Sequence, residues 1–240
     1  MNMLIRFLNK IISKWKGHDY KIDHRVPLYY IMLLVWSRLV MLVNGYLSGV
    51  SNKGIFFLSV KATLKARSKF KVGRSVTIAR GCYIDALSEK GIWFGNNVSA
   101  GINTRIEGTG HLQLLGKGMR VGNNVGLGYD SFYGCAGGIE IGDDTIIGNY
   151  VSFHSENHVF DSLQTPIRLQ GVSHKGITIG KNCWIGAKAT ILDGVILEDG
   201  CIIAAGAVVK AGVYGANSVY GGVPAKLIRY REEEELYGAG

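Results

Sequence analysis

Reading every sixth residue from Ile179 gives Ile179, Ile185, Ile191, Leu197, Ile203 and Val209, six aliphatic side chains in succession. The residue four places after each is Cys183, Ala189, Val195, Cys201, Ala207 and Val213, all apolar and small or medium in size. A fixed repeat of this kind, sustained over many residues, marks a stacked architecture. The same frame recurs at Val72/Ile78/Ile84, at Val121/Leu127 and at Ile141/Ile147/Phe153. Each hexad supplies one short strand and one turn. Three hexads then close a triangular coil that receives an aliphatic side chain from each flat face, and stacked coils bury a continuous core while pairing their strands in parallel.

Such a chain turns every few residues, and the composition reflects it. Of 240 residues 34 are Gly, about twice ordinary usage. Corner sequences such as Gly122-Asn123-Asn124, Gly142-Asp143-Asp144 and Gly180-Lys181-Asn182 supply residues that tolerate positive φ. Collagen is excluded because it needs glycine at every third position. Disorder is excluded because 47 % hydrophobic and 19 % charged residues make a collapsing mixture. Three interruptions of the frame, at 88–93, 109–113 and above all 155–176, are expected to project as loops, which is where a rigid scaffold carries function.

The charge is unevenly placed. Residues 1–80 hold 15 Lys/Arg and 2 Asp/Glu, a balance of +13, whereas residues 81–240 hold 12 and 16, a balance of −4. The net +9 therefore belongs to an N-terminal arm, assigned to residues 1–68, and not to the repeat body at 69–230. From Val26 to Leu47 the arm is almost wholly apolar, with Arg38 its single charge and Tyr29, Tyr30, Trp36 and Tyr46 of the interfacial type. A basic segment before an apolar one fits an anionic membrane surface better than a nucleic acid. A packed helix, an interfacial helix within residues 1–50 and a spanning helix all remain open. The REEEELYGAG end, 231–240, reads as an acidic tail.

The run IGKNCWIGAKATILDGVILEDGCIIAAGAVV and the later GGVPAKLIR resemble the hexapeptide-repeat acyltransferases, in particular the sugar and polysaccharide O-acetyltransferase branch with the galactoside and maltose acetyltransferases. The resemblance covers about residues 70–230. It implies a mainly β fold, a left-handed parallel β-helix with a helical N-terminal segment, assembled as a homotrimer, with acetyl-CoA as co-substrate and no metal. It implies an acetyl-CoA-dependent O-acetyltransferase of a saccharide hydroxyl; the membrane-seeking arm narrows the acceptor to an envelope glycan, and since acetyl-CoA is cytoplasmic the enzyme is expected in the cytoplasm or peripheral at the inner face of the cytoplasmic membrane.

Acyl transfer to a hydroxyl needs a base near neutral pH, and histidine is the usual one. The chain has His18, His24, His111, His154, His158 and His174. Two lie in FHSENHVFDS at the start of the longest interruption. His158, in His158-Val159-Phe160-Asp161, resembles the His-Pro-aliphatic-Asp stretch of the family, which implies that His158 is the catalytic base; Val159 stands where those enzymes have Pro. His154 is the rival, with Glu156 and Asp161 as groups that orient an imidazole. Asp130 is a candidate for acceptor binding or simply a corner residue, and Trp184 for a wall of the site. For coenzyme A the resemblance implies Ala187 and Ala205 beside the pantetheine arm and Lys210, Lys226 and Arg229 near the phosphates.

No P-loop, GxSxG or supported GxGxxG motif is present. Cys82, Cys135, Cys183 and Cys201 form no CxxC pair and are expected as buried thiols. Two other classes stay open. One is an N-acyltransferase on an amino-sugar nucleotide or serine-type acceptor. The other is a non-catalytic or metal-dependent β-helix of carbonic-anhydrase-like type, in which His154, His158 and His174 would converge.

Overall fold

The computed structural model describes residues 3–16, 19 and 21–231; the tail from 232 onward, read above as acidic, lies outside the described residues. The chain divides into two units, 1–40 and 41–240.

In the first unit, helix α1 (Met3–Lys16) carries no acidic residue. Arg6, Lys10 and Lys14 recur every fourth residue and so share one face. The backbone N–H of Ile22 donates to Asn9 Oδ1 at 3.0 Å. Helix α2 (Leu28–Leu47) is apolar apart from Ser37, Arg38 and Asn44, with a mean hydropathy of 1.5, long and apolar enough to cross a membrane by length and composition. Tyr29, Met32, Leu33, Trp36, Val43 and Tyr46 on it are exposed. In the second unit its last turn is fixed to the repeat body: Asn44 Nδ2 donates to the Leu58 carbonyl at 3.0 Å. Gly45 approaches so closely that an added Cβ would lie 2.0 Å from the Phe56 carbonyl oxygen, which only glycine permits.

The body is a left-handed β-helix of about 8 turns. Its strands of two to five residues form three sheets, here called A, B and C in the order the chain visits them, of 8, 9 and 7 strands. Neighbouring coils pair in parallel and in register, as in Ile139–Ile141 on Ile177–Ile179 and Ser152–His154 on Thr190–Leu192. The final strand, Lys226–Tyr230, instead returns antiparallel on Ser218–Gly221. Every aliphatic named above at the sixth-residue positions is buried, whereas Val213, four places after Val209, is exposed. Tyr133 and Phe153 stack at 4.9 Å, and Phe56, Phe70 and Phe94 pack edge to face at 6.4 and 5.3 Å.

The corners behave as their composition demands. Asn124, Asp144 and Asn182 all take left-handed φ, between 52° and 59°. Asparagine and aspartate side chains then accept from the coil below, as where the Asn96 N–H meets Asn123 Oδ1 at 2.9 Å.

Two boundaries differ from the sequence reading. The β-helix begins near residue 51, not 69, because Ser51–Asn52, Phe56–Leu58 and Thr63–Lys65 pair in parallel with the next coil. The polar Asn52 hides the first hexad, and the 3₁₀ turn Arg67–Lys69 inserts two residues between Leu64 and Val72. The interruption at 88–93 ends sooner than expected, since Ile92–Phe94 is a strand with Ile92 and Phe94 inward and Trp93 outward. The four cysteines are buried and unpaired, as expected.

Candidate active site

The interruption at 155–176 leaves the corner between sheets C and A. It opens with a two-stranded antiparallel hairpin in which Asn157 faces Ser173 and His158 faces Val172. Both feet are fastened. At the first, the buried Ser155 donates through Oγ to the Gly134 carbonyl at 2.7 Å and accepts the Gly137 N–H at 2.9 Å. At the second, the buried carboxylate of Asp193 accepts the N–H groups of Lys175 and Gly176, each at 2.8 Å. The same carboxylate receives Asn157 Nδ2 at 3.4 Å, so one residue ties the return strand to the residue beside His158. Neither Ser155 nor Asp193 was singled out from the sequence. Asp193-Gly194 reads there as one more turn pair, and only the fold places it above the loop.

His158 is exposed on this hairpin, so its imidazole is open to a reactant. His154 ends the strand Ser152–His154 on the outer face of sheet C, in register with Gly134 on one side and Leu192 on the other. The Phe132 ring fills the place of a side chain at Gly134, 3.1 Å from where its Cβ would stand, and packs on the His154 ring at 5.6 Å. This partial burial lowers the His154 pKa, because the cation is the form that loses water. Glu156 reaches the shorter protruding segment, its Oε1 lying 3.8 Å from where a Cβ would stand at Gly110. Neither Glu156 nor Asp161 hydrogen-bonds the His158 ring.

The remaining predicted residues lie elsewhere on the coil. Asp130 occupies the corner between sheets B and C with φ 51°, and its carboxylate accepts Asn103 Nδ2 at 2.9 Å, a corner ladder of the kind seen between sheets A and B. Ala187 and Ala205 stack at that same corner, where the Ala187 carbonyl accepts the Gly206 N–H at 2.9 Å. The N–H groups of both alanines have no partner among the described residues. Trp184 is exposed on sheet B between Ile146 and Ile202. Lys210 is exposed near the C–A corner, its carbonyl accepting the Tyr214 hydroxyl at 3.0 Å. Lys226 and Arg229 are exposed on the returning strand. One chain thus gathers His154, Glu156, His158 and Asp161 at one corner and places Trp184, Ala187 and Ala205 on other parts of the coil.

Cys82 is pushed up to about 11 and Cys201 to about 12 by burial, so these thiols are neutral and offer no nucleophile near pH 7. Among the described residues no three His, Cys, Asp or Glu side chains converge as a metal-binding group.

The family model of the hexapeptide repeat of succinyl-transferase matches residues 176–214, the coils that follow the hairpin. These coils therefore carry the hexapeptide repeat of acyltransferases. Over 79 residues this chain is 32 % identical to a Mycobacterium tuberculosis protein named Probable acetyltransferase Rv3034c, covering 33 % of this chain and 26 % of that one. The chain therefore spans about a quarter of the length of this curated relative. Among solved structures it is similar to AntD, an N-acyltransferase from Bacillus cereus seen in complex with dTDP and coenzyme A. The TM-score is 0.52 at 19 % identity, over 77 % of this chain and 86 % of that one. The product of the BC4754 gene of Bacillus cereus gives a TM-score of 0.52 at 22 % identity, over 72 % and 86 %. These two likenesses concern the fold.

Proposed function

We propose that the chain is an acyltransferase that uses acetyl-CoA to O-acetylate a saccharide hydroxyl of an envelope glycan such as a capsule, exopolysaccharide or lipopolysaccharide unit. The observation that carries this reading is His158, exposed on a hairpin whose return foot is fastened by Asp193. In the reaction the acceptor oxygen attacks the thioester carbonyl carbon as the His158 imidazole removes its proton. The C–S bond breaks, and coenzyme A leaves as the thiol with the proton returned from the imidazolium. Transfer is direct, without an acyl-enzyme. The unpartnered N–H groups of Ala187 and Ala205 suit the amides of a pantetheine arm, and Lys210, Lys226 and Arg229 suit its phosphates.

The two groups of residues lie apart on one coil, and we propose that a homotrimer unites them, the hairpin of one subunit facing the Trp184 sheet of the next. The basic face of α1 and the apolar α2 support attachment to the inner face of the cytoplasmic membrane, where a glycan on its lipid carrier and cytoplasmic acetyl-CoA meet.

His158→Ala, assayed with acetyl-CoA and a panel of oligosaccharides, is expected to lose about 10²–10⁴-fold in turnover; near-normal transfer overturns the assignment. Mild alkali strips an ester and leaves an amide, so product stable to alkali would make the acceptor an amine. Equal mixing of His158→Ala with Ala205→Trp chains is expected to restore about a quarter of the sites if they form between subunits. Vesicle flotation of the full chain against one lacking residues 1–50 tests the membrane attachment.

A further inference from the structure

A cavity of about 600 Å³ opens on the outer face of sheet A, against the corner from which the hairpin departs. Lys90, Lys117, Arg120 and Lys175 line it, with Trp93 as an apolar wall and Glu140 as the one carboxylate. The β-helix at 51–231 contains 20 Lys and Arg against 12 Asp and Glu, and four of those cations surround this one hollow with Glu140 alone to oppose them. None of the four forms an ion pair among the described residues. Arg120 and Glu140 are cross-strand partners, yet they too stay unpaired. The local balance is +3.

The placement of these cations follows from the coil. Lys90, Lys117 and Lys175 occupy the C–A corner on different coils, and Gly137-Gly138 fills the coil between Lys117 and Lys175. At Gly138 the floor is open, whereas at Gly137 the Ser155 carbonyl and the His174 side chain fill the place of a Cβ. The Lys117 stem lies along it, its Cβ 3.4 Å from where a Gly138 Cβ would stand. The floor amides are already used: the Gly137 N–H goes to Ser155 Oγ at 2.9 Å and the Gly138 N–H to the Cys135 carbonyl at 3.1 Å. Side-chain cations are therefore what the hollow offers a ligand. Coils stack at about 4.8 Å, so these charges are spread over roughly 15 Å along the stack. That spread exceeds one phosphate and suits two in line with a further group beyond them.

We infer that this cavity binds a diphosphate, and, resting on the acyltransferase reading, that it holds the diphosphate linkage of an activated sugar acceptor beside the hairpin that carries His158. The size agrees, since small-molecule sites occupy about 300–1,000 Å³. Coenzyme A, which also contains a diphosphate, is assigned to the C-terminal coils, with Lys210 at this same corner and Lys226 and Arg229 on the returning strand, so its titration is the control. A nucleotide sugar and a prenyl-diphosphate sugar share the same recognition chemistry, and the test separates them.

Isothermal titration of the full chain with inorganic pyrophosphate, UDP, geranyl diphosphate and coenzyme A reads this directly, without any assay of transfer. The Lys117→Gln/Arg120→Gln double variant is expected to bind pyrophosphate at least about tenfold more weakly while its coenzyme A affinity changes less than about threefold. His158→Ala is expected to bind pyrophosphate as the unaltered chain does, so failure of the base assignment leaves this result standing. UDP binding tighter than pyrophosphate identifies a nucleotide sugar, and tighter geranyl diphosphate binding a lipid carrier; either supports the site. No pyrophosphate binding by the unaltered chain, an unchanged affinity in the double variant, or an equal loss of coenzyme A binding overturns it. Lys90→Gln/Lys175→Gln is the second variant should the first fail to fold, with the same outcomes.

Discussion

Asn157 Nδ2 meets the carboxylate of Asp193 at 3.4 Å, and the same carboxylate holds the N–H groups of Lys175 and Gly176. The hairpin that exposes His158 is thus governed from the coil above it. Removing the carboxylate in Asp193→Ala leaves these N–H groups unpaired near the body, at a cost of about 1–3 kcal/mol. Limited proteolysis is expected to cut within 155–176 at lower protease concentration. Turnover is expected to fall by more than the loss of stability accounts for, with Asp193→Asn recovering part of both. Equal protease resistance in Asp193→Ala and the unaltered chain counts against the clamp.

His154 and His158 separate by their titration. Burial lowers the His154 pKa below its usual 6.5, so just below that pH the unfolded chain binds a proton that the folded chain refuses. By linkage, stability falls as the pH drops through this range and is unaffected by this group above it. His154→Gln is expected to flatten the fall in Tm between pH 7.5 and 5.5. An unchanged slope in the variant would remove His154 from the account.

Gly45 lies inside a helix, where alanine is ordinarily better by about 1 kcal/mol. Here the added carbon would stand 2.0 Å from the Phe56 carbonyl oxygen, a backbone atom that has no rotamer to yield. The clash outweighs the helical gain, so Gly45→Ala is expected to lower stability by about 1–3 kcal/mol. Denaturant titration measures it, and a stabilised variant would show that the contact gives way.

The buried thiols give a simple chemical readout. With Cys82 held near 11 and Cys201 near 12, a thiol reagent at pH 8 is expected to leave all four cysteines unmodified in the folded chain. All four should react after denaturation. Fast labelling of one under native conditions would mean that its coil opens.

The hexad frame was readable because burial acts on the sequence locally: a side chain that points inward every sixth residue has to be apolar wherever it occurs. Where an insertion shifts that frame, as at Arg67–Lys69, or a polar residue such as Asn52 starts it, the first coil disappears from view. His158 was singled out by the resemblance of His158-Val159-Phe160-Asp161 to a family stretch, and the structure sets it exposed on the hairpin. Asp193 was not, because its partners lie 17 to 36 residues away and nothing in Asp-Gly tells a turn from a clamp. The basic hollow was hidden for a similar reason. Lys90, Lys117, Arg120 and Lys175 are scattered along the chain, and only the coil brings them to one face.

The returning strand Lys226–Tyr230 has a last consequence. A parallel stack leaves its terminal rung with unmet donors and acceptors, an invitation for a second molecule to dock end to end and begin a fibre. Here one of the three rows is finished by a rung of opposite polarity, exposed along its length and bearing Lys226 and Arg229. Polymerisation would have to begin by displacing it.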